Sequence, residues 1–599
     1  MKAEEVPSGK LFDSGQQLQI PIWQRRYTWD TLDWSELWKD LGHIRTTPSA
    51  THFIGSFVLK ALPWRGLPSE AKRYWVVDGQ QRAATLTVLV IAIRDRLARL
   101  AATDEARLMI HSDYTAQLLR NENLKAGHKD RLVPQTADAS RLTQLVEGTS
   151  AELSDAPLDR AYRFFSQTIE ELQAEELEEL LSALLVRVMA VWVVLEDNDN
   201  AHRVFQTLNA GGKPLRQADL VRNYFFLLLG DRGDGFYNTH WRLLESDLTP
   251  RELEEFFVAW TITQGHTGGK ASLFRYFQKD LASAEESATE VQDYGIRLTA
   301  AARQFQWLRK PEDCPLAEVR PILLDLRAWG TLPAEGLILL LLRIHVEGRL
   351  AEPHLAECLR FIQSFMARRL LAGFEPQLHK DIFVRQAQRL RERGQLEHAE
   401  LSSYLRFLLS SQQDVRVWPS DDLVRARVSA NSLYTKSRAG WVFEILKRIE
   451  KTMSNDPAGD SVDGSGYVVD HLMPDTLTTA WADDLTAWGV ENPAGLHQSR
   501  LQVLGNLTMA TAASPTSEAS WPEARQMVID TELAINTSMS GFSTWQGEDI
   551  DARTTELSEV ACRTYTSPMT AQEVATSTFN SNGLSEEVSD VEDELEDEA

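Results

Sequence analysis

The chain has 599 residues, 43% of them hydrophobic and 25% charged. It is too long for a single hydrophobic core, so we expect roughly two to four domains. The formal charge of −25 argues against indiscriminate binding to nucleic acid, because phosphate contacts need Lys and Arg, and any DNA binding must use a local basic surface.

The start of the chain and its cysteines indicate a cytoplasmic location. The first residues, MKAEEVPSGK, lack the apolar core of a signal peptide. Cys314, Cys358 and Cys562 are too scattered for a disulfide framework or a CxxC metal knuckle. The most apolar run, GLILLLLRIHV from Gly336, is too short to span a bilayer and predicts a buried helix. We therefore expect a cytoplasmic protein.

Two strands and a helix are predicted in roughly the first hundred residues. The runs HFIGSFVLKAL and RYWVVDG are rich in β-branched and aromatic residues and are bounded by turn formers, which favours strands. The second strand leads into a helical pattern through the polar run Asp78-Gly79-Gln80-Gln81-Arg82. This run is either a turn with a helix cap or a site that holds an anion.

Helices dominate the prediction for the rest of the chain. The segment that starts AELSDAPLDRAYRFF has apolar residues at helical spacing, and VRVMAVWVVLED interrupts the helices as a strand. The chain is then almost wholly helical to about residue 450. A linker, Ser454 to Gly466, leads to a compact C-terminal segment, and Ser/Thr-rich and then acidic low-complexity sequence follows from about residue 565.

Three N-terminal motifs carry residues suited to phosphate. In IPIWQRRYTWD, Gln24, Arg25 and Arg26 lie between aromatic residues, and a guanidinium there can stack on a base or hold a phosphate. In FQTLNAGGKPL, a glycine turn ends in the cation Lys213. In VVDGQQR, Asp78 can cap the helix whose N-terminal amides favour an anion.

The other side chains of VVDGQQR, those of Gln80, Gln81 and Arg82, could donate to a phosphate or read a base edge. Each motif alone is more often structural, as a cap and turn, as core packing or as a loop. Together they are specific, because all three resemble the motifs of one known family and occur in the same order.

The blocks IPIWQRRYTW, FIGSFVL, VVDGQQRAATL and FQTLNAGGKPLRQADLVRN resemble the ParB/sulfiredoxin-related N-terminal domain of the GmrSD family. These are modification-dependent (type IV) restriction enzymes, to which SspE and BrxU are related. The resemblance covers roughly residues 10 to 240 and implies that the domain binds and hydrolyses a nucleoside triphosphate, GTP or another NTP.

Residue by residue, the resemblance assigns nucleotide handling to the signature. It implies that Asp78, Gln80, Gln81 and Arg82 carry this activity, and that Gln24 and Arg25 line the same pocket or a nearby DNA-sensing surface. The chain contains no Walker A motif, since QGHTGGKAS has Ala271 where Ser or Thr should follow the Lys. Any NTPase activity must therefore come from a site that is not a P-loop.

The C-terminal motif pairs Asp470-His471, in YVVDHLMPDTL, with Asn506 in LGNLTMA. A His-Asn-His (HNH) nuclease is a ββα unit that holds one divalent metal. The motif resembles the C-terminal nuclease domain of the same family over about residues 460 to 530. The resemblance implies that Asp470 is a metal ligand for Mg²⁺ or Mn²⁺, that His471 is the general base and that Asn506 orients it.

The sequence departs from the family pattern at the second metal ligand. The family has a further Asn on or before the helix, whereas this chain has AASPTSEASWPEARQ, without Asn or His at that position. Ser514, Thr516 or Glu518 would have to substitute, and Glu518 is the acceptable hard ligand for magnesium. The departure leaves metal binding, and with it cleavage, as an open question for the structure.

The expected fold is α+β and mostly helical. We predict a ParB-like NTP-binding and DNA-sensing domain over residues 1–240, a helical domain over 241–453, an HNH nuclease-like domain over 454–565 and a disordered acidic tail over 566–599.

The predicted function is an NTP-dependent DNA endonuclease of bacterial anti-phage defence that cuts or nicks modified or foreign DNA. Its partners would be phage or modified DNA and a nucleotide, without a membrane, and the resemblance implies a homodimer. Two alternatives stay open at this point. One is an NTP-binding DNA sensor or regulator that has lost cleavage, and the other is a helical interaction scaffold with a polar turn at residue 78.

Overall fold

The computed structural model describes residues 2–47, 49–64, 71–121, 129–134, 138–149, 152–195, 216–267, 269–284, 287–329, 333–394, 396–454, 466–511 and 519–580. The described part is α+β and mostly helical, which confirms the predicted class. It forms two compact units, one from the described residues of 1–246 and 277–296 and the other from those of 247–276 and 297–599. The boundaries of the four predicted segments stay predictions.

The first unit contains a mixed six-stranded sheet. Its strands are β1 (Lys2–Pro7), β2 (Gln16–Ile20), β3 (His52–Ala61), β4 (Lys72–Asp78), β5 (Leu132–Pro134) and β6 (Val188–Leu195). Their order in the sheet is β1-β6-β3-β4-β2-β5. β4 is antiparallel to β3 and parallel to β2, so it lies inside the sheet. The three strands predicted from the sequence, now β3, β4 and β6, are confirmed.

The helices that accompany this sheet begin with α1 (Thr31–Thr46), α2 (Gln80–Leu100) and α3 (Asp104–Tyr114). They continue with α4 (Ala139–Glu147), α5 (Pro157–Thr168), α6 (Ala174–Arg187), α7 (Gln217–Leu229) and α8 (Gly233–Phe236). Helix α2 is buried over almost its whole length, and its apolar residues join those of the strands in one hydrophobic core. Because α2 is fixed on most sides, the polar residues of its first turn have fixed positions.

Three helices run across the division between the units: α9 (Arg242–Asp247), α11 (Leu273–Leu281) and α12 (Ala288–Arg309). The second unit starts from α10 (Pro250–Thr263). It continues through α13 (Arg320–Ala328), α14 (Glu335–Val346), α15 (Glu352–Leu371), α16 (His379–Arg393), α17 (His398–Ser410), α18 (Asp421–Val428) and α19 (Ala439–Met453). Helix α14 is the predicted buried helix, and its apolar side chains lie in the core.

The remaining elements of the second unit are the antiparallel strands β7 (Tyr467–His471) and β8 (Leu507–Thr511) with helices around them. These helices are α20 (Thr479–Ala487), α21 (Pro493–Arg500), α22 (Trp521–Ile529), α23 (Ala534–Thr537), α24 (Gly547–Thr564) and α25 (Ala571–Thr576). One hydrophobic core joins β8 and α24 to the helices α13 to α19. None of the helices in the described part of the chain combines the length and apolar character of a membrane span.

Candidate functional site

The polar signature lies where β4 ends and α2 begins. Gly79, at the N-cap of α2, has φ +94°, a left-handed conformation that suits glycine. A Cβ at this position would lie 2.6 Å from a ring carbon of Phe57 on β3, so a larger residue cannot fit without movement. The tight turn therefore places Asp78 at the end of a central strand and Gln80 in the first turn of a buried helix.

The side chains of Gln80 and Gln81 form hydrogen bonds to other parts of the protein. Gln81 accepts a hydrogen bond from the Thr28 amide at 2.8 Å and donates to the Arg26 carbonyl at 3.0 Å. Gln80 donates to the side chain of Gln24 at 3.2 Å, and Gln24 donates to the backbone of β4 at 3.1 Å. All three glutamines are buried. They fix the segment that carries Arg25 onto the start of α2.

Arg82 is held against β3. Its guanidinium donates to the Asp78 carboxylate at 3.1 Å and to the Ser56 carbonyl, and its Cζ lies 5.7 Å from the centre of the Phe57 ring. The Nε atom is buried and has no hydrogen-bond partner. The two hydrogen bonds fix the orientation of the guanidinium, and 18% of the side chain as a whole is exposed to solvent.

Arg25 is a half-buried cation with few partners. Its Nε is buried without a hydrogen bond. Burial lowers the pKa of Arg25, while the carboxylates of Asp219 and Asp78 oppose that effect and Arg222 adds to it. A desolvated guanidinium with an unsatisfied donor is a favourable position for an anionic ligand.

A recess opens beside these residues. The recess is small, because its cavity volume of about 20 Å³ holds about one water molecule. Its polar lining comes from Arg25, Gln80, Gln81 and Asp138, and Asp138 accepts a hydrogen bond from the Tyr27 amide at 2.9 Å. Burial strongly raises the pKa of Tyr27, whose ring also lines the recess.

The structure adds residues of α7 and α9 that the sequence analysis did not select. Arg222 donates to Asp219 at 3.0 Å and to Glu245 at 2.8 Å, and Glu245 also accepts from Tyr237 at 3.1 Å. Burial and Glu245 raise the pKa of Tyr237 to about 12. The run QADLVRN contained Asp219 and Arg222, and its likeness to the family was the available signal. Lys213 lies outside the described residues.

Trp23 explains why the first motif has tryptophan next to its polar residues. Its ring is fully buried and stacks on Phe226 of α7, with centroids 5.7 Å apart and planes 5° apart. It also meets Trp75 of β4 edge-on at 6.2 Å. Trp23 therefore anchors the segment before Arg25 between the sheet and α7, as Gln81 anchors the segment after it.

The C-terminal motif forms a strand pair followed by a helix. In β7 and β8, Asp470 is opposite Thr508 and His471 is opposite Leu507, and α22 follows along the chain. The His471 ring is 4% exposed; its Nε2 lies 3.0 Å from the Gln502 side chain and its Nδ1 lies 3.4 Å from the Asp475 carboxylate. Tyr434 meets the ring edge-on at 5.0 Å.

Asn506 is fully buried and has four hydrogen bonds. Its oxygen accepts from the Met473 amide at 2.7 Å and from the Trp545 indole at 3.0 Å, and its nitrogen donates to the Met473 and Leu501 carbonyls. The described contacts of Asn506 therefore reach the loop after His471 rather than its ring. Its role in orienting the base stays a prediction, and the contacts favour an indirect one.

The predicted metal ligands are described only in part. Asp470 accepts a hydrogen bond from the His471 amide at 2.8 Å, whereas Glu518, Ser514 and Thr516 lie outside the described residues. Across the described ranges, no group of three or more His, Cys, Asp or Glu side chains is arranged to hold a metal ion.

Comparison with known families gives two matches. Residues 8–226 match the family described as GmrSD restriction endonuclease, N-terminal domain. Residues 418–560 match the family described as GmrSD restriction endonucleases, C-terminal domain. Together the two matches cover more than half of the chain, and they include both motifs described above. No curated protein matches the chain.

Proposed function

The chain belongs to the GmrSD family of restriction endonucleases, and from this premise we propose that it is an NTP-dependent DNA endonuclease of anti-phage defence. The observation that carries the proposal is the presence of both family domains, in order, in one chain. DNA is the substrate of restriction endonucleases. Dependence on nucleotide, the recognition of modified or phage DNA and an HNH-type cutting site are the finer parts of the proposal.

The N-terminal corner supports the nucleotide part. Arg25 and Arg82 each have a buried Nε without a hydrogen-bond partner, and the recess lies beside Arg25. Guanidinium groups bind phosphate oxygens with two parallel hydrogen bonds when their orientation is fixed. In this proposal Arg25 and Arg82 bind phosphates, Asp78 orients Arg82, and Gln80 and Gln81 position Arg25 through segment 24–28.

The mixed sheet and the strand-to-helix corner are compatible with the ParB-like domain that the resemblance implies. We also propose Lys213 as a further phosphate-binding cation. The experiment below tests which nucleotide, GTP or another NTP, the protein uses.

The β7–β8 pair and α22 support the nuclease part, because a ββα unit consists of two antiparallel strands and a helix; here α20 and α21 lie between the two strands along the chain. His471 would remove a proton from the attacking water, and Asp475 is placed to stabilise the charged ring through Nδ1. Asn506 would hold the loop that follows His471. Mg²⁺ or Mn²⁺, with Asp470 and Glu518 as proposed ligands, would stabilise negative charge at the scissile phosphate when bound.

The test is cleavage of DNA by the purified full-length protein. Phage DNA, with and without base modification, is incubated with Mg²⁺ or Mn²⁺ and with GTP or ATP. We expect nicking that requires a nucleotide and is lost in His471→Ala. The control variant is His354→Ala, at a half-exposed histidine on α15, and it should cut DNA normally. No nicking of any substrate, or equal nicking by His471→Ala, would contradict the proposal.

A second candidate function is an NTP-binding DNA sensor without cleavage. The sequence favours it, because the chain lacks Asn or His at the family's second metal-ligand position and has a formal charge of −25. Titration of Mn²⁺ into wild-type protein and Asp470→Asn separates the two candidates. If the protein hydrolyses nucleotide but binds no Mn²⁺ at Asp470, the result supports the sensor. If wild type binds Mn²⁺ and Asp470→Asn does not, the result supports the nuclease.

A further inference from the structure

Helix α16 carries a row of arginines in an otherwise acidic protein. The run RQAQRLRER, residues 385–393, has four arginines and one acid. Arg385, Arg389 and Arg393 are spaced by four, so they lie along one side of the helix, and we call them the arginine row. All three are half-buried. Like charges at this spacing repel one another, so an anionic partner would stabilise the row.

No acidic side chain in the described ranges forms an ion pair with the arginine row. The two acids of the same helix, Asp381 and Glu392, are exposed and do not bridge to it. Gln388 and Arg391 face α10 instead, where they donate to the Gly265 and Thr263 carbonyls. Within the described part of the chain, the arginine row therefore has no ion pair.

The C-terminal end of the arginine row meets the last described segment of the chain. The Cζ of Arg393 lies 5.1 Å from the centre of the Phe579 ring and 4.7 Å from that of Tyr404 on α17. Phe579 packs on Tyr404 and Phe407, with centroids 5.1 Å and 5.7 Å apart. Asn580, one position after Phe579, is the last residue that the structure describes, so the described chain ends near Arg393.

The sequence that follows is strongly acidic. Residues 586–599, EEVSDVEDELEDEA, have nine Asp and Glu and neither Lys nor Arg. Five residues separate this segment from Asn580, and at about 3.3 Å each they can span about 16 Å. The arginine row rises about 12 Å from Arg385 to Arg393. The acids can therefore reach every arginine of the row.

We propose that the acidic segment 586–599 of this chain binds to the arginine row of α16. Its carboxylates supply the missing counter-charges, and the anchor at Phe579 keeps their local concentration high. A bound acidic segment competes with the phosphates of DNA for the same guanidiniums. Only this competition rests on the proposed function, since the intramolecular contact needs neither nucleotide nor DNA.

Carbodiimide cross-linking of the full-length protein tests the contact directly. The double variant Arg385→Lys/Arg389→Lys keeps both charges and supplies amines that this reagent joins to carboxylates. Arg303→Lys, at an exposed arginine of α12 in the same unit, is the matched control. Cross-linked peptides are identified by mass spectrometry at low salt and at 1 M NaCl.

We expect the amines at positions 385 and 389 to join acids of 586–598, with the yield falling about tenfold in 1 M NaCl because the contact is electrostatic. Equal yields from the control position, or no cross-link from 385 and 389, would overturn the proposal. Such a failure would leave the proposed nuclease function untouched.

Binding of labelled duplex DNA tests the competition. The nine acids are changed to Asn and Gln in full-length protein, with the arginine row intact or as Arg385→Gln/Arg389→Gln. Replacing the nine acids should raise the affinity for DNA about tenfold when the arginine row is intact. In the Arg385→Gln/Arg389→Gln background the same replacement should raise it less than twofold. The same gain in both backgrounds would overturn the proposal. If no form binds DNA, the proposed function fails and the cross-linking result decides the contact alone.

Discussion

The Asp78 carboxylate and the Arg82 guanidinium are hydrogen-bonded at 3.1 Å across the first turn of α2. The two side chains are 16% and 18% exposed, so solvent screens the pair only in part. Arg82 is also bound to the Ser56 carbonyl of β3. The pair thus connects the helix start to two adjacent strands and leaves the Nε of Arg82 without a partner.

The first prediction concerns Asp78→Asn. Asparagine can still accept the hydrogen bond from Arg82, but without charge, so the guanidinium is held less firmly. Charge-assisted hydrogen bonds contribute about 1.5–3 kcal/mol, against about 1 kcal/mol for neutral ones. We therefore expect kcat/KM for nucleotide hydrolysis to fall about tenfold. Glu170→Gln, which removes an exposed partner of Arg96 and Arg99 on the same helix, should leave the rate unchanged.

The second prediction concerns Gln81→Leu. Leucine keeps the bulk but leaves the Thr28 amide and the Arg26 carbonyl without their side-chain partner. We expect faster hydrogen exchange at residues 24–28 and weaker nucleotide binding, since Arg25 loses its fixed position. Exchange mass spectrometry of the free protein measures the first effect. Unchanged exchange together with weaker nucleotide binding would show instead that Gln81 contacts the ligand directly.

The roles of the glutamines show where sequence reasoning reached its limit. The strand, the turn at Gly79 and the helix followed from local pattern, because β-branched runs and glycine turns act over a few residues. That Gln80 and Gln81 bind Gln24 and the backbone at residues 26 and 28 depends on partners more than fifty residues away. From the sequence alone, a buried glutamine that holds the backbone cannot be distinguished from one that binds a ligand.

Asp219 and Glu245 are residues of the site that the sequence motifs did not identify. Both belong to the charge network around Arg25 and Arg222, but they lie about 200 residues from the first motif along the chain. Asn506 was identified from its motif, yet only its hydrogen bonds show that it holds the loop at Met473. Motifs indicated which residues matter, and tertiary contacts showed what several of them do.

The third prediction concerns Asn506→Ala. The variant leaves the Met473 amide and the Trp545 indole as buried donors without an acceptor, which costs about 1–3 kcal/mol for each group. We expect faster hydrogen exchange at residues 471–475 and loss of DNA cleavage with normal nucleotide hydrolysis. Asn492→Ala removes only an exposed cap of α21 and should leave cleavage intact. Normal exchange at 471–475 would contradict the bracing role.

The fourth prediction is a pH dependence of stability at Glu444. Burial, above all, raises the pKa of this carboxyl from 4.5 to about 7, with a contribution from Asp325. The folded protein holds the proton more tightly than the unfolded chain. The stabilising effect is therefore full below pH about 4.5 and is lost as the pH rises through about 7.

Glu444→Gln removes this titration. Relative to wild type, the variant should gain stability between pH 5 and pH 8, by up to about 3 kcal/mol at about 1.4 kcal/mol per pKa unit. Thermal unfolding across this pH range measures the difference. Parallel pH profiles for the two proteins would contradict the assignment.

Nucleotide binding by the free full-length protein tests the central claim most directly. Calorimetric titration with slowly hydrolysed GTP and ATP analogues would compare wild type, Arg25→Gln, Arg82→Gln and Arg303→Gln. We predict binding to wild type and to Arg303→Gln, with a loss of at least about tenfold in affinity for each of the other two variants. Equal affinity in all four proteins, or no binding to wild type, would contradict the claim that the corner between β4 and α2 binds a triphosphate.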